Sequence, residues 1–255
     1  MTKATYSVII PTYNRPSFLL RALKSVEKQI IKPKEVFIVD NHPFGINKFI
    51  FDKAKSSFNL NIHYLRFNSK GGALGARNYA AKFSKSKFIA FLDDDDFWSK
   101  HYISEALKKL NDSNSKLNIC EYNVVDKFCK KIYKFNIPTN IKVETLFRWN
   151  PGILCSNIII ENTTFNKIKM FDINIHGSAD KEILIKCIKR KIKYSVLKKS
   201  LVNWTSHENQ WTKNHYLILK GVNAFNKKYF KEMTFFSKLI SLKKLLTLKI
   251  KIILN

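Results

Sequence analysis

The sequence predicts an α/β fold built on a largely parallel sheet flanked by helices. Over the first half of the chain, short apolar β-branched runs alternate strictly with segments of helical periodicity, as successive βαβ units do. Each run ends in polar, acidic or glycine-rich residues, namely Pro11 to Arg15, Asp40-Asn41, Asn68 to Gly72 and Asp93 to Asp96. These lie at the carboxyl ends of the strands, where such sheets bind ligands. Apolar residues make up 45% of the 255 residues, which supports one large core and excludes a disordered chain.

Tyr6 to Ile10 is the first strand, followed by the turn-rich Pro-Thr-Tyr-Asn-Arg-Pro. A helix runs from about Ser17 to Gln29, with Phe18, Leu19, Ala22, Leu23 and Val26 on one face. Val36 to Val39 is the second strand, Asn47 to Phe58 a helix, and Ile62 to Phe67 the third strand. Gly71-Gly72 opens a helix through Lys82, and Phe88 to Leu92 is a short buried strand. The second half is less regular. It carries a helix over Lys100 to Leu110, strands over Asn118 to Val125 and Ile153 to Ile160, a helix over Lys181 to Arg190, a strand over Tyr194 to Val202, and closing helices including Phe235 to Leu254. One catalytic domain over 1–232 is expected, with a nucleotide-binding half over 1–110, an acceptor half over 111–232, and a basic amphipathic helix over 233–255.

Asp93 to Asp96 follow the Phe88–Leu92 strand directly. Side by side at a strand end, four carboxylates repel and lose hydration. A Mg²⁺ or Mn²⁺ ion would relieve that cost, since both prefer hard oxygen ligands. The plain alternative is an acidic turn capping the next helix.

The net charge is +27, a field that favours nucleic acid, an anionic membrane or a small anionic substrate. The excess is mostly Lys in a chain also rich in Asn and Ile, so compositional bias explains much of it. The acidic run argues against nucleic acid. Cys120, Cys129, Cys155 and Cys187 show no paired spacing and read as reduced, mostly structural thiols. Val8-Ile9-Ile10 is too short for a signal peptide and is ended by Pro11. No apolar stretch reaches the ~20 residues a membrane span needs. A cytoplasmic protein, with its site on the cytosolic side, is expected.

Val8 to Arg15, Val39-Asp40-Asn41, Ala76-Arg77-Asn78 and Phe91 to Trp98 together resemble the family 2 glycosyltransferases in residues, order and spacing. The likeness is strong over residues 6–110 and thin afterwards. It implies a GT-A fold that binds a nucleoside diphosphate sugar, UDP-linked by preference, together with Mn²⁺ or Mg²⁺. By that resemblance Pro11, Thr12 and Tyr13 border the nucleotide, and Asp40 accepts a hydrogen bond from the base. Arg77 lines the donor pocket or steadies the diphosphate. Asp93 and Asp95 form the ends of the family's D-x-D motif, with Asp95 as direct metal ligand and Asp93 on the ribose or metal-bound water. Asp94 lies between them in the donor site.

The chemistry asks for one further group. As C1 parts from the diphosphate, the acceptor hydroxyl needs a general base within hydrogen-bond reach. By the resemblance this is Asp180, which follows Phe171-Asp172 and starts a helix. Ala179 stands where the family often has Glu, and Glu182 is the alternative base. A base opposite the leaving group makes the transferase inverting. His207 contacts the diphosphate or completes the metal shell, or is simply solvated. Trp149, in the acceptor region, stacks on a sugar ring or belongs to the core, as does Trp204. Phe235 to Leu254 mixes apolar and basic residues. It suits a helix on an anionic bilayer, at the inner face of the membrane beside a lipid-linked glycan acceptor. A helix packed on its own domain, or a dimer contact, fits equally.

Two other functions compete. A nucleotidyltransferase usually carries a glycine-rich phosphate loop after the first strand, and Pro-Thr-Tyr-Asn-Arg-Pro has no glycine. A non-catalytic basic module leaves the four aspartates unexplained.

Overall fold

The computed structural model describes residues 4–45, 48–208, 210 and 214–253. Asn47, Asn209, Leu254 and Asn255, which belong to expected segments, lie outside the described residues.

The alternation read from the sequence forms. β1 (Tyr6–Thr12), α1 (Pro16–Glu27), β2 (Glu35–Asp40), α2 (Lys48–Ser57), β3 (Ile62–Arg66), α3 (Gly72–Ala81) and β4 (Phe88–Phe91) follow in order. Every residue of β1, β2 and β4 is buried, as continuous apolar runs between helices must be. The chain continues through β5 (Phe97–Trp98), α4 (Tyr102–Asp112), β6 (Leu117–Val125), β7 (Lys131–Phe135), α5 (Val143–Arg148), β8 (Ile158–Glu161) and α6 (Asn162–Lys167). α7 (Ala179–Lys189), β9 (Tyr194–Thr205), α8 (His215–Tyr229) and α9 (Phe235–Ile253) complete the described elements.

All nine described strands join one sheet in the order β3-β2-β1-β4-β8-β6-β9-β5, with β7 pairing the second half of β6 beyond its contact with β8. Parallel pairing dominates: β1 with β2 and β4, β2 with β3, and β6 with β9. β8 enters antiparallel between β4 and β6. Because β2 and β3 lie on one side of β1 and β4 on the other, the order reverses between β1 and β4. A crevice opens at such a reversal, at the carboxyl ends of both strands. The turn after β1 and the four aspartates after β4 meet there.

Local chemistry shapes these ends. Asn14 adopts a left-handed φ of 51°, which Asn tolerates better than most residues. Pro16 then starts α1, where its missing N–H is no loss. Helices pack on the sheet, α3 against β1 and β2, α4 against β6 and β9, and α6 against β8.

One expected strand is shorter than read. Ile153 to Asn157 is a loop ending in a 3-10 turn over Cys155–Asn157, and the strand begins at Ile158. Asn150 Oδ1 accepts from the backbone N–H groups of Gly152 and Ile153, and Asn157 Oδ1 from that of Leu154. These side chains take the bonds a ladder would have used. Trp98 Nε1 fixes the loop by donating to the Ser156 carbonyl at 2.8 Å.

Candidate active site

The side chains of Asp93 to Asp96 alternate as if the strand had not ended. Asp94 and Asp96 are 0% and 2% accessible, while Asp93 and Asp95 are partly exposed toward the crevice. Asp94, expected in the donor site, is therefore turned into the protein. It accepts from Thr12 Oγ1 at 2.7 Å and from Arg15 Nε at 3.2 Å, and Arg15 Nη2 closes a bidentate pair. Thr12 borders the crevice through its backbone, its hydroxyl being committed to Asp94. Burial pushes the Asp94 carboxyl up to about 6 against the pull of Arg15.

Asp95 pairs with Arg15 Nη1 at 2.8 Å and with His207 Nε2 at 3.0 Å. Burial opposes its charge, but the His207 hydrogen bond and the Arg15 guanidinium outweigh that and hold it below the ordinary Asp value. The His207 ring stacks on Phe18 at 5.1 Å, which fixes its approach. Arg21 lies against the Phe18 and Phe97 rings and donates to the Asp95 carbonyl and to Thr205 Oγ1.

Asp96 accepts from Ser156 Oγ at 2.6 Å and from the Thr205 N–H at 2.9 Å. Burial, then the charges of Asp95 and Asp93, raise its carboxyl well above the ordinary range. One oxygen each from Asp93, Asp95 and Asp96 lies within 4.8 Å of the others. Three hard oxygen donors around one point, with too little cation charge to neutralise them all, fit Mg²⁺ or Mn²⁺.

On the other side of Asp93 stands Arg77, buried on α3 and paired with the Asp93 carboxylate. Burial would weaken its charge, yet Asp93 and its neighbours hold the guanidinium above its ordinary pKa. Its Nε has no hydrogen-bond partner among the described residues. The next residue, Asn78, pins the loop that leads to α7 by bonding both backbone groups of Phe171, at 2.8 and 3.0 Å. Phe171 also closes an aromatic triad with Phe91 and Phe165, whose centroids are 5.2–5.3 Å apart. Such buried rings contribute roughly 1.5–3 kcal/mol each. They hold the start of α7 against the end of β4.

That start carries Asp180. Its Oδ1 accepts from Cys155 Sγ at 2.8 Å. Burial pushes its carboxyl up to about 6, restrained by the Cys155 bond and the charge of Arg77. Cys155, expected as a merely structural thiol, thus touches the candidate base. Glu182, the alternative base, is fully buried and forms ion pairs with Lys228 at 2.6 Å and Lys186 at 2.9 Å, while Tyr229 donates to it at 2.9 Å. It clamps α7 to α8 and has no route to an acceptor.

At the end of β2, Asp40 accepts from the His42 N–H at 2.9 Å and from Tyr64 Oη at 2.7 Å. Tyr13 is half exposed, its ring edge-on to His42 at 4.8 Å. Pro11 is buried within β1. Trp149 is 52% exposed at the end of α5 and is not core, whereas Trp204 packs partly into the core. His42, Arg15 and Arg21 were not singled out from sequence, and Asp96 was named only as part of the acidic run. Arg15 had a signal, because four carboxylates need a countercharge and it is the charged residue in the turn after β1. The contacts of Ser156 with Asp96 and of Cys155 with Asp180 had none, since these partners are 60 and 25 residues away.

The model of the glycosyl transferase family 2 matches residues 7–168. The chain is 28% identical over 160 residues to the Escherichia coli UDP-Glc:alpha-D-GlcNAc-diphosphoundecaprenol beta-1,3-glucosyltransferase WfgD, an alignment covering 63% of this chain and 61% of that protein. It is 34% identical over 113 residues to the Staphylococcus aureus poly(ribitol-phosphate) beta-N-acetylglucosaminyltransferase TarS, covering 43% of this chain and 19% of that one. The fold superposes on the crystal structure of S. aureus TarS 1-349 in complex with UDP-GlcNAc, with a TM-score of 0.68 at 20% identity over 88% of this chain and 66% of that chain. With more than half its length matched by the family model, and with a GT-A architecture, the chain belongs to glycosyl transferase family 2.

Proposed function

We propose that the chain is an inverting glycosyltransferase that moves a sugar from a UDP-sugar to a hydroxyl of a glycan or lipid-linked glycan, with help from Mn²⁺ or Mg²⁺. One observation carries this reading: the crevice has two chemically distinct ends joined by Arg77. At one end Asp93, Asp95 and Asp96 converge. At the other, Asp180 has a carboxyl near 6. Its Oδ1 is tied to Cys155, and its Oδ2 makes no hydrogen bond among the described residues.

Asp93, Asp95 and Asp96 would hold the cation, which would supply positive charge against that growing on the leaving diphosphate. His207 and Arg15 complete or steady that cluster. Asp40 and Tyr13 receive the base, and Arg77 faces the phosphates. The acceptor oxygen bonds to C1 as the C1–O bond to phosphate breaks, and the leaving diphosphate takes the electron pair. Asp180 Oδ2 takes the hydroxyl proton. A base near 6 is mostly ionised at pH 7 yet basic enough to accept a proton in the transition state. Trp149 offers an exposed ring for the acceptor. The names of the relatives support the acceptor class, since WfgD acts on a diphosphoundecaprenol-linked sugar and TarS on poly(ribitol-phosphate).

The test is turnover with UDP-sugars, Mn²⁺ and a diphosphate-lipid acceptor, with UDP release measured and the anomeric configuration of the product read by NMR. The expected result is metal-dependent UDP release with inversion. Retention of configuration, or no nucleotide release from any nucleoside diphosphate sugar, overturns the reading.

A further inference from the structure

α9 is folded inside out for a helix that belongs only to its own domain. A helix docked on a soluble core turns its apolar stripe inward. The inward side of α9 instead carries Ser237 and Ser241, both buried, with Leu248 as its one buried large side chain. These serines are seated by polar bonds. Ser237 Oγ accepts from Arg148 Nε at 3.1 Å, and Ser241 Oγ donates to Asn226 Oδ1 at 2.6 Å. Phe235, Leu239, Leu242, Leu246, Ile250 and Ile253 are all exposed, from 46% at Leu239 to 81% at Ile253. At 3.6 residues per turn these six fall within an arc of about 80° on the outward side. A continuous apolar patch of that kind marks a surface meant to be covered.

The charges identify the cover. The segment Phe235–Ile253 holds five lysines and no acidic residue. Lys238 and Lys249 border one edge of the apolar arc and Lys243 borders the other, while Lys244 and Lys251 lie farther round the helix. A second copy of the chain on this face would set lysines against lysines. An anionic lipid surface accepts the apolar arc among its acyl chains and the flanking lysines among its headgroups. No helix among the described residues is long and apolar enough to cross a membrane, so α9 would lie in the plane of the interface.

We infer that α9 is a preformed docking face for an anionic lipid bilayer. The inference stands apart from the proposed reaction, although the two meet in space. The first turn of α9 is bonded to Arg148, whose guanidinium lies 4.8 Å from the Phe236 ring. The next residue, Trp149, opens the loop that carries Cys155 and Ser156 to the crevice. A bilayer on α9 thus lies beside the acceptor side of the site.

The experiment is co-sedimentation of the full chain with vesicles of phosphatidylcholine mixed with phosphatidylglycerol, and with phosphatidylcholine alone, at low and high salt. A triple variant, L239S/L246S/I250S, tests the face; its three residues point outward and contact nothing in the crevice. An unchanged thermal midpoint shows that the variant folds. The expected result is binding to the anionic vesicles, weakened by salt and reduced about tenfold or more in the folded variant. Equal sedimentation of the variant, or absence of wild-type binding, overturns the inference. A wild-type dimer that the substitutions convert to a monomer, without vesicle binding, overturns it in favour of a second copy.

Discussion

Replacing Asp180 with Asn should cripple turnover and stabilise the fold. The carboxyl of Asp180 sits near 6 in the protein against an ordinary 3.8. The folded state therefore disfavours the charged form. Both folded and unfolded chains are protonated well below pH 3.8, and there the residue costs nothing. As pH rises toward 6 the unfolded chain ionises first and the penalty grows, reaching its full size above 6. At 1.36 kcal/mol per unit, the shift corresponds to at most about 3 kcal/mol at pH 7. Asn is never charged and removes the penalty. For a chain of this size, about 2–4 °C accompanies each kcal/mol, so the midpoint at pH 7.5 should rise by several degrees and the difference should vanish toward pH 4. Turnover should fall about 10²–10⁴-fold, the range for a lost general base. The rise of wild-type activity through pH 6 should also be absent from the residual rate. Thermal denaturation at the two pH values and a pH–rate profile check this. A lower midpoint at pH 7.5, or turnover within a few-fold of wild type, would exclude a strained, proton-accepting Asp180.

Cys155→Ala removes the hydrogen bond that favours ionised Asp180; a net bond of ~1 kcal/mol corresponds to about 0.7 of a pH unit. The activity limb near 6 should move up by that amount, with Cys155→Ser restoring it, as measured by pH–rate profiles. Asp95→Ala deletes one of three converging oxygens and leaves His207 Nε2 and Arg15 Nη1 without their carboxylate, while Arg15 keeps its pair with Asp94. Mn²⁺-dependent donor affinity, measured by calorimetry, should fall by more than the ~10–100-fold typical of a lost outer-shell partner. Gly221→Ala would place a Cβ 1.7 Å from the His176 carbonyl oxygen; it should separate α8 from the loop before α7 and lower the thermal midpoint by several degrees, since overpacking costs about 1–3 kcal/mol.

The first half of this fold was legible because its signals are local. β1 to β4 are short apolar runs closed by turn residues, and the strand after each helix pairs in parallel as alternation predicts. The candidate site was legible where it lies on those strand ends, in Asp93 to Asp96 and Asp40, and on α3 in Arg77. The second half depends on distant partners. Ile153 to Ile160 reads as one strand, and only the Asn150 and Asn157 side chains, meeting backbone groups a few residues away, turn its first part into a loop. The two-residue β5 exists because it pairs with Val202 and Asn203. The insertion of β8 between β4 and β6 carries no sequence mark. Four adjacent carboxylates look equivalent in sequence, yet Thr12 and Arg15 draw Asp94 inward, and Ser156 and Thr205 draw Asp96. The amphipathic character of α9 was legible, but not which face the domain would leave uncovered.

The proposed function requires a nucleotide-and-metal site between β1 and β4. Thermal midpoints of the wild-type chain with UDP, GDP, dTDP and CMP, each with and without Mn²⁺, test it most directly, because a ligand of the native state raises the midpoint by mass action. The expected result is a rise with UDP that requires Mn²⁺ and is lost in Asp95→Ala. A folded chain whose midpoint moves with none of the four nucleotides, with or without metal, would contradict it.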